Sequence, residues 1–342
     1  MRNVYCTLYD SNYLDKGLVM IESLRNWSDS GIYVLCMDDL CYQIMLKEHM
    51  VGVTLITLSD FMSDELVSLK AVRKWGEFCW TCGANLIKYV LDNYEVDCCT
   101  YLDSDLMFYS DPDYLLEEMR SKNCCVQVVP HRFPDTHFWK KWEKTSGKNC
   151  VQFNSFTKDE KSIELLNHWI EQIARDCSVE NGGDQLYTSE WGKYEFVNVC
   201  QDEGAGVAPW NAQKYRLFGP PQLRVLSKKE GKENRLVFFH FHGLEYLNRN
   251  QVNIMLQNRL ECIDKRFINS LYVPYIEMLE EKKQYLKHRY NIEPMYSHSK
   301  TLLADLIPQM HPLKKILYKF WMFGWGHKNM IEIVDGKCYS NV

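Results

Sequence analysis

No run of apolar residues in the 342-residue chain approaches the ~20 needed for a helix that spans a bilayer. The start, Met1-Arg2-Asn3-Val4-Tyr5-Cys6, lacks the basic and apolar regions of a signal peptide, so a cytoplasmic location is expected. Excess charge of one sign is also missing. With 40 basic and 45 acidic residues the net charge is −5, which offers no general attraction to nucleic acid. Any anion site must therefore come from local charges or a metal. There is no internal repeat and no low-complexity segment. Cys79-Trp80-Thr81-Cys82 has no second C-x-x-C pair to complete a tetrahedral zinc site.

What is present is ordinary globular material, 46% hydrophobic and 25% charged, long enough to bury a substantial core. The 14 cysteines do not form a disulfide pattern. Cys98-Cys99 and Cys124-Cys125 are adjacent pairs inside apolar, strand-like runs, where small reduced thiols pack well.

Strand and helix character alternate through the first 130 residues. Strands are expected at 4–8, 32–36, 53–56, 97–102 and 126–129, and helices near 13–27 and around Leu40, Ile44 and Leu46. A further helix carries Leu86, Ile87, Val90 and Leu91, with Thr81 as its expected N-cap. The alternation predicts an α/β fold, with a mostly parallel sheet and helices on both faces. Ligands in such folds sit at the carboxyl ends of the strands. Beyond residue 150 a strand at 151–156 and a helix at 161–177 are expected. Short strands and glycine turns follow to about 245, and helix with charged outer positions over 248–290.

Cys99-Thr100-Tyr101-Leu102-Asp103-Ser104-Asp105-Leu106 is the sharpest feature. An apolar strand delivers two carboxylates, Asp103 and Asp105, at the edge where it ends. Oxygen ligands of that kind suit Mg²⁺ or Mn²⁺, which bind substrate phosphate oxygens as well. A solvated turn after a strand is the competing reading. The preceding apolar strand, the following Leu-Met-Phe-Tyr, and Ser110-Asp111-Pro112 opening a helix favour the metal. In Val237-Phe238-Phe239-His240-Phe241-His242-Gly243 the two histidines share a strand face, as ligands or as locally bonded pairs. Gly182-Gly183-Asp184-Gln185 places a carboxylate beside a carboxamide, for sugar hydroxyls or as a helix cap. Gly204-Ala205-Gly206-Val207-Ala208-Pro209-Trp210-Asn211 offers a flat ring to a sugar, or a tight turn with a buried Trp.

Taken in order, these residues resemble a GT-A (Rossmann-like) nucleotide-diphospho-sugar transferase. More narrowly, they resemble a group of bacterial glycosyltransferases distantly related to the family-eight retaining enzymes. The resemblance covers roughly residues 3 to 245, from Thr7-Leu8-Tyr9-Asp10 and Asn12-Tyr13-Leu14 through Glu77-Phe78-Cys79-Trp80-Thr81 to Phe239-His240-Phe241-His242-Gly243. It includes Pro130-His131-Arg132-Phe133 and Cys150-Val151-Gln152-Phe153-Asn154-Ser155-Phe156. It implies that the loop bearing Thr7, Tyr9, Asp10 and Tyr13 holds uracil and ribose, with Tyr13 as a stacking ring. It implies that Arg73 meets the donor, that Ser104 lies at the donor site, and that Asp103 and Asp105 bind the metal. The third ligand is His240 or His242, with His242, the one before glycine, preferred and His240 then a phosphate contact. Asn154 would stand near the donor sugar, although Asn-Ser-Phe replaces the family's usual Asn-Ala/Ser-Gly, and Asp184 with Gln185 would lie beneath the anomeric carbon. The resemblance favours retention of configuration, while Asp184 as a base for inversion stays open.

The implied division is a catalytic domain over 1–245, with a nucleotide half at 1–130 and a sugar and acceptor half at 131–245. A helical C-terminal extension over 246–342 follows. Within it, 312–325 combines lysines with dense aromatics, as a helix lying on an anionic membrane or a terminal helix docked on its own domain. The expected partners are a UDP-sugar and a glycan or lipid-linked acceptor of cell-surface polysaccharide synthesis, with peripheral contact at the inner membrane face. A nucleotidyltransferase would require a glycine-rich basic loop, and residues 7–17 offer only Lys16 and Gly17. A catalytically silent carbohydrate-binding protein would not need two carboxylates aimed at a diphosphate.

Overall fold

The computed structural model describes residues 2–254, 265–294, 296, 330–334 and 337–340. Its centre is a seven-stranded sheet in the order β3-β2-β1-β4-β7-β6-β8. The strands are β1 (Asn3–Tyr9), β2 (Gly31–Cys36), β3 (Val53–Thr57), β4 (Cys98–Leu102), β6 (Val126–Pro130), β7 (Asn149–Thr157) and β8 (Val197–Val199), with β5 (Leu106–Phe108) outside the sheet. All neighbours run parallel except β7, which is antiparallel to both β4 and β6. The expected mostly parallel α/β sheet is therefore present.

Alternation along the strands explains how both faces are covered. Val4, Cys6 and Leu8 pack in one buried cluster, and Tyr5 and Tyr9 pack in another on the opposite face. The second face is covered by α1 (Leu14–Arg25) and α2 (Asp39–Glu48), reached through Leu18, Ile21, Leu24 and Ile44. Of the expected α2 residues, Ile44 is buried, with Cys41 and Met45, while Leu40 and Leu46 are about half exposed. The short α3 (Leu58–Phe61) and α4 (Asp64–Val72) lead into α5 (Trp75–Asn93), which covers the first face. Thr81 does not cap α5, contrary to expectation. It lies in the helix interior, where its hydroxyl donates to the Glu77 carbonyl at 2.7 Å. The start is fixed seven residues earlier, where the Glu77 side chain accepts from the Lys74 backbone N–H at 3.1 Å.

Next come α6 (Asp113–Ser121), α7 (His137–Ser146) and α8 (Glu160–Arg175). The α8 stripe Leu165, Leu166, Trp169 and Ile173 is buried against the first face. Each aliphatic member contributes about 1.5–3 kcal/mol by leaving water. Beyond β8 a small antiparallel sheet is formed by β9 (Tyr215–Phe218), β10 (Arg224–Ser227) and β11 (Glu233–Arg235). Then β12 (Phe238–His240) pairs with β5.

The C-terminal part is not helical throughout, as had been expected. A four-stranded antiparallel sheet joins β13 (Glu245–Asn248), β14 (Gln251–Asn253), β15 (Met330–Val334) and β16 (Lys337–Ser340). Between β14 and β15, α9 (Lys265–Phe267) runs through a π-helical turn into α10 (Val273–Tyr290). This last helix returns to α1. Lys282 pairs with Glu22 at 2.7 Å, and the buried Lys283 lies 3.9 Å from Asp15 of α1. Among the described residues no helix is long and apolar enough to cross a membrane. The 312–325 segment lies outside the described residues. All described cysteines are free, and Cys98 and Cys99 are buried as expected.

Candidate active site

Strand order places the site. Successive strands lead one way from β1 to β2 and β3, while β4 lies on the other side of β1. The carboxyl ends of β1 and β4 thus border the crevice at which the strand order reverses, where open α/β sheets bind ligands. At one lip is the loop after Tyr9, and at the other the Asp103-Ser104-Asp105 triplet. Backbone bonds hold the triplet. The Asp103 N–H donates to the Gln152 carbonyl of β7 at 3.2 Å, and the Phe241 N–H donates to the Asp105 carbonyl at 3.0 Å. Because β5 pairs with β12, Leu106 lies opposite His240, and that register sets the imidazole beside Asp105.

His240 Nε2 stands 3.1 Å from Asp105 Oδ1 and 3.8 Å from Asp103 Oδ2. One ligand atom from each of the three residues lies within 4.8 Å of the others. His240 Nδ1 donates to Gln152 Oε1 at 2.8 Å, so Nε2 is the nitrogen turned toward the carboxylates. Two carboxylate oxygens and an oriented imidazole nitrogen form a donor set that fits one divalent cation such as Mn²⁺. Burial raises both carboxyls, and His240 opposes it. Burial dominates at Asp103, pushed up to about 6, whereas at Asp105 the imidazole wins and the group falls well below its ordinary range. His240 is driven the other way. Burial lowers it, but Asp105 outweighs that and raises it well above an ordinary histidine.

His242, the ligand preferred from the sequence, stands outside this group. Strand β12 stops at His240, and Gly243, with φ +73°, begins a turn. The His242 ring instead lies edge-on to Trp210 and His240, with centroids 5.6 and 5.4 Å away. Burial, and then the neighbouring His240, push it down to about 4.

The triplet opens into a cleft of about 440 Å³ whose lining includes Asp103, His240, Asp184 and Gln185, with Trp80 and Trp142 at its sides. Asp184 precedes a 3-10 turn (Gln185–Lys193), yet its side chain does not cap that turn. Its carbonyl accepts from the Trp169 indole at 2.9 Å, which fixes the main chain. Burial, and then Asp103, push the Asp184 carboxyl up to about 8. Asn154 is opposite Tyr101 in the β4–β7 ladder and is fully buried. Neither polar atom of its carboxamide has a protein partner, a cost of about 1–3 kcal/mol for a buried amide. It does not line the cleft. Trp210 is largely buried, though it lines the cleft, and its indole donates to the His131 carbonyl at 2.9 Å.

Several expected nucleotide contacts are placed elsewhere. Tyr9 is in the core, its ring against Gly17 of α1, where an added Cβ would come within 2.5 Å of the ring. Thr7 is buried on the same strand face, with no partner for its hydroxyl. Arg73 is not brought to the cleft. Its guanidinium donates to the Thr81 hydroxyl and to the Ile173 and Ala174 carbonyls at the end of α8, which occupies three of its five N–H donors. Asp10 and Tyr13 do stand at the lip. Asp10 Oδ1 accepts from the Asn12 N–H at 3.0 Å, and Oδ2 accepts from the Trp75 indole at 2.9 Å. Tyr13 is 44% exposed, with Lys16 Nζ 3.9 Å above its ring centroid. Ser104 is half-buried between the two aspartates.

The sequence reading assigned no role to Gln152, Trp75 or Lys16. The parity of Gln152 with Asn154 on one strand was a usable signal. The Trp75–Asp10 contact, across the fold, left none. Lys16 lies close enough for its charge to lower Asp105.

No family model matches the chain. It is similar to the uncharacterized protein YfnD of Bacillus subtilis (strain 168), 26% identical over 285 residues, covering 80% of this chain and 87% of that one. Among solved structures, mouse xyloside xylosyltransferase 1 is similar with a TM-score of 0.45 and 12% identity, over 70% of this chain and 98% of that chain. A galactosyltransferase, LgtC, solved with donor and acceptor sugar analogs, is similar with a TM-score of 0.42 and 12% identity, over 61% of this chain and 76% of that chain.

Proposed function

We propose that the chain is a metal-dependent GT-A-type glycosyltransferase that takes a sugar from a nucleotide-diphospho-sugar, of which a UDP-sugar fits best. The acceptor is a glycan or lipid-linked saccharide of the cell surface. The observation that carries this reading is the convergence of Asp103, Asp105 and His240 at the strand switch point, with Asp103 and His240 lining one cleft with Asp184 and Gln185.

Asp103, Asp105 and His240 would hold Mn²⁺ or Mg²⁺, which supplies charge stabilisation to the departing diphosphate. Gln152 keeps the imidazole in the tautomer that presents Nε2. Tyr13, exposed at the lip, stacks on the base, and Asp10, fixed by Trp75, borders the ribose. Asp184 and Gln185 hydrogen-bond the donor sugar and hold its anomeric carbon toward the open end of the cleft.

The test is a panel of nucleotide sugars assayed for Mn²⁺-dependent hydrolysis and for thermal stabilisation. Turnover of one donor, lost in Asp105→Ala, is expected. If every donor and metal leaves both signals unchanged, the transferase reading fails.

A further inference from the structure

The cleft continues past the metal corner to a wall that the donor does not account for. Helix α7 buries only one residue, Trp139. Trp139 is held by stacking on Phe133, with centroids 5.5 Å apart and planes at 15°, and Phe133 stacks in turn on His131 at 4.7 Å and 12°. With the helix tethered in this way, Trp142 reaches the cleft while still 39% exposed. Trp80 of α5, which lines the same cleft, is 40% exposed and covers Gly183, where an added Cβ would lie 3.1 Å from its ring. Large aromatic surface left in water at a cleft mouth is costly and marks a binding surface.

We propose that Trp142 and Trp80 form the acceptor subsite, and that its occupant is the pyranose ring of a saccharide rather than a lipid chain. The proposal rests on the transferase reading above and names the substrate class at the outer end of that site. Two features point to a sugar. The wall is not uniformly apolar: Thr145 and Ser146 of α7, with Gln185 opposite, line the same cleft as the indoles. A pyranose has one face of C–H groups and a rim of hydroxyls. The electron-rich indole face suits the first, and the hydroxyl and carboxamide groups suit the second. The Thr145 hydroxyl already donates to the Trp142 carbonyl at 3.1 Å, but a lipid chain would cover the Gln185 carboxamide and the Ser146 hydroxyl without a partner, at a desolvation cost. The second feature is continuity. The wall and the carboxylates belong to one cleft, so a ring resting on Trp142 holds a hydroxyl toward Asp184 and the donor sugar.

Saturation-transfer difference NMR on the full chain, with UDP and Mn²⁺ present, tests this. The probes are methyl β-D-galactopyranoside, methyl β-D-glucopyranoside and methyl N-acetyl-β-D-glucosaminide, with 1-octanol as the apolar control. At least one pyranoside is expected to receive saturation mainly on the C–H protons of one ring face. The signal should fall at least fivefold in Trp142→Ala and in Trp80→Ala, and recover in Trp142→Phe. The thermal shift given by UDP and Mn²⁺ is measured on every variant as the check on fold and metal corner. The proposal is overturned if no pyranoside receives saturation, if the signal survives both alanine variants, or if octanol alone is saturated through Trp142. Absence of any UDP–Mn²⁺ shift in the parent protein, with pyranoside binding intact, would sink the transferase reading and leave a saccharide site.

Discussion

The metal corner and the α7 rim share one cleft but are built in opposite ways. At the corner, Asp103, Asp105 and His240 are held by the β5–β12 pairing, by backbone bonds from Asp103 and to Asp105, and by Gln152 behind the imidazole. At the rim, ten residues of helix depend on one buried side chain, Trp139. Groups that must hold a cation to a few tenths of an ångström need redundant constraint. A surface that accepts a bulky acceptor and releases its product works better on a lightly tethered element. On the proposed reading the chemistry belongs to the corner and the selectivity to the rim.

Cutting into the corner should give the largest effect. Asp105→Ala is expected to lower Mn²⁺-dependent donor hydrolysis by at least about 100-fold, the scale seen when one charge-stabilising group is removed. A variant that keeps more than a tenth of the parent rate would break the assignment. One layer back, Gln152→Leu removes the acceptor for His240 Nδ1. It should weaken Mn²⁺ affinity by about 10–100-fold, measured by titration with the free protein, and unaltered affinity would show that the imidazole needs no orienting partner.

The rim can be disturbed without touching the corner. Gly182 has φ +77°, and a Cβ there would lie 2.2 Å from the Thr145 carbonyl at the end of α7. Gly182→Ala should cost about 1–3 kcal/mol of local stability, read as faster amide exchange across 137–146, with Mn²⁺ affinity unaltered. Equal loosening of β4 and β12 would mean that the two regions open together. The smallest change is expected at the nucleotide lip. Tyr13→Ala should weaken UDP binding by about 1 kcal/mol, or roughly fivefold, in a calorimetric titration with Mn²⁺ present.

The same contrast explains which residues were legible in the sequence. Asp103 and Asp105 follow an apolar strand directly, so strand periodicity alone places them at a sheet edge. The choice between His240 and His242 is not local. Residues two apart share a strand face, and only the β5–β12 register with Gln152 sets His240 beside Asp105. Tyr9 and Arg73 had suitable chemistry in a suitable order, yet Tyr9 is used to pack Gly17 of α1 and Arg73 to close the end of α8. Both tasks depend on elements meeting across the fold. The four-stranded C-terminal sheet was missed for a similar reason. Its strands β14 and β15 are far apart in the chain, and each is too short to stand out against the helix that separates them.

The most direct test of the central claim is Mn²⁺ binding followed by electron paramagnetic resonance, with and without UDP. The account predicts one tightly bound Mn²⁺ per chain, bound more tightly when UDP is added, and lost in His240→Ala but kept in His242→Ala. Failure of the parent protein to bind Mn²⁺, or binding that UDP and His240→Ala both leave unchanged, would contradict it.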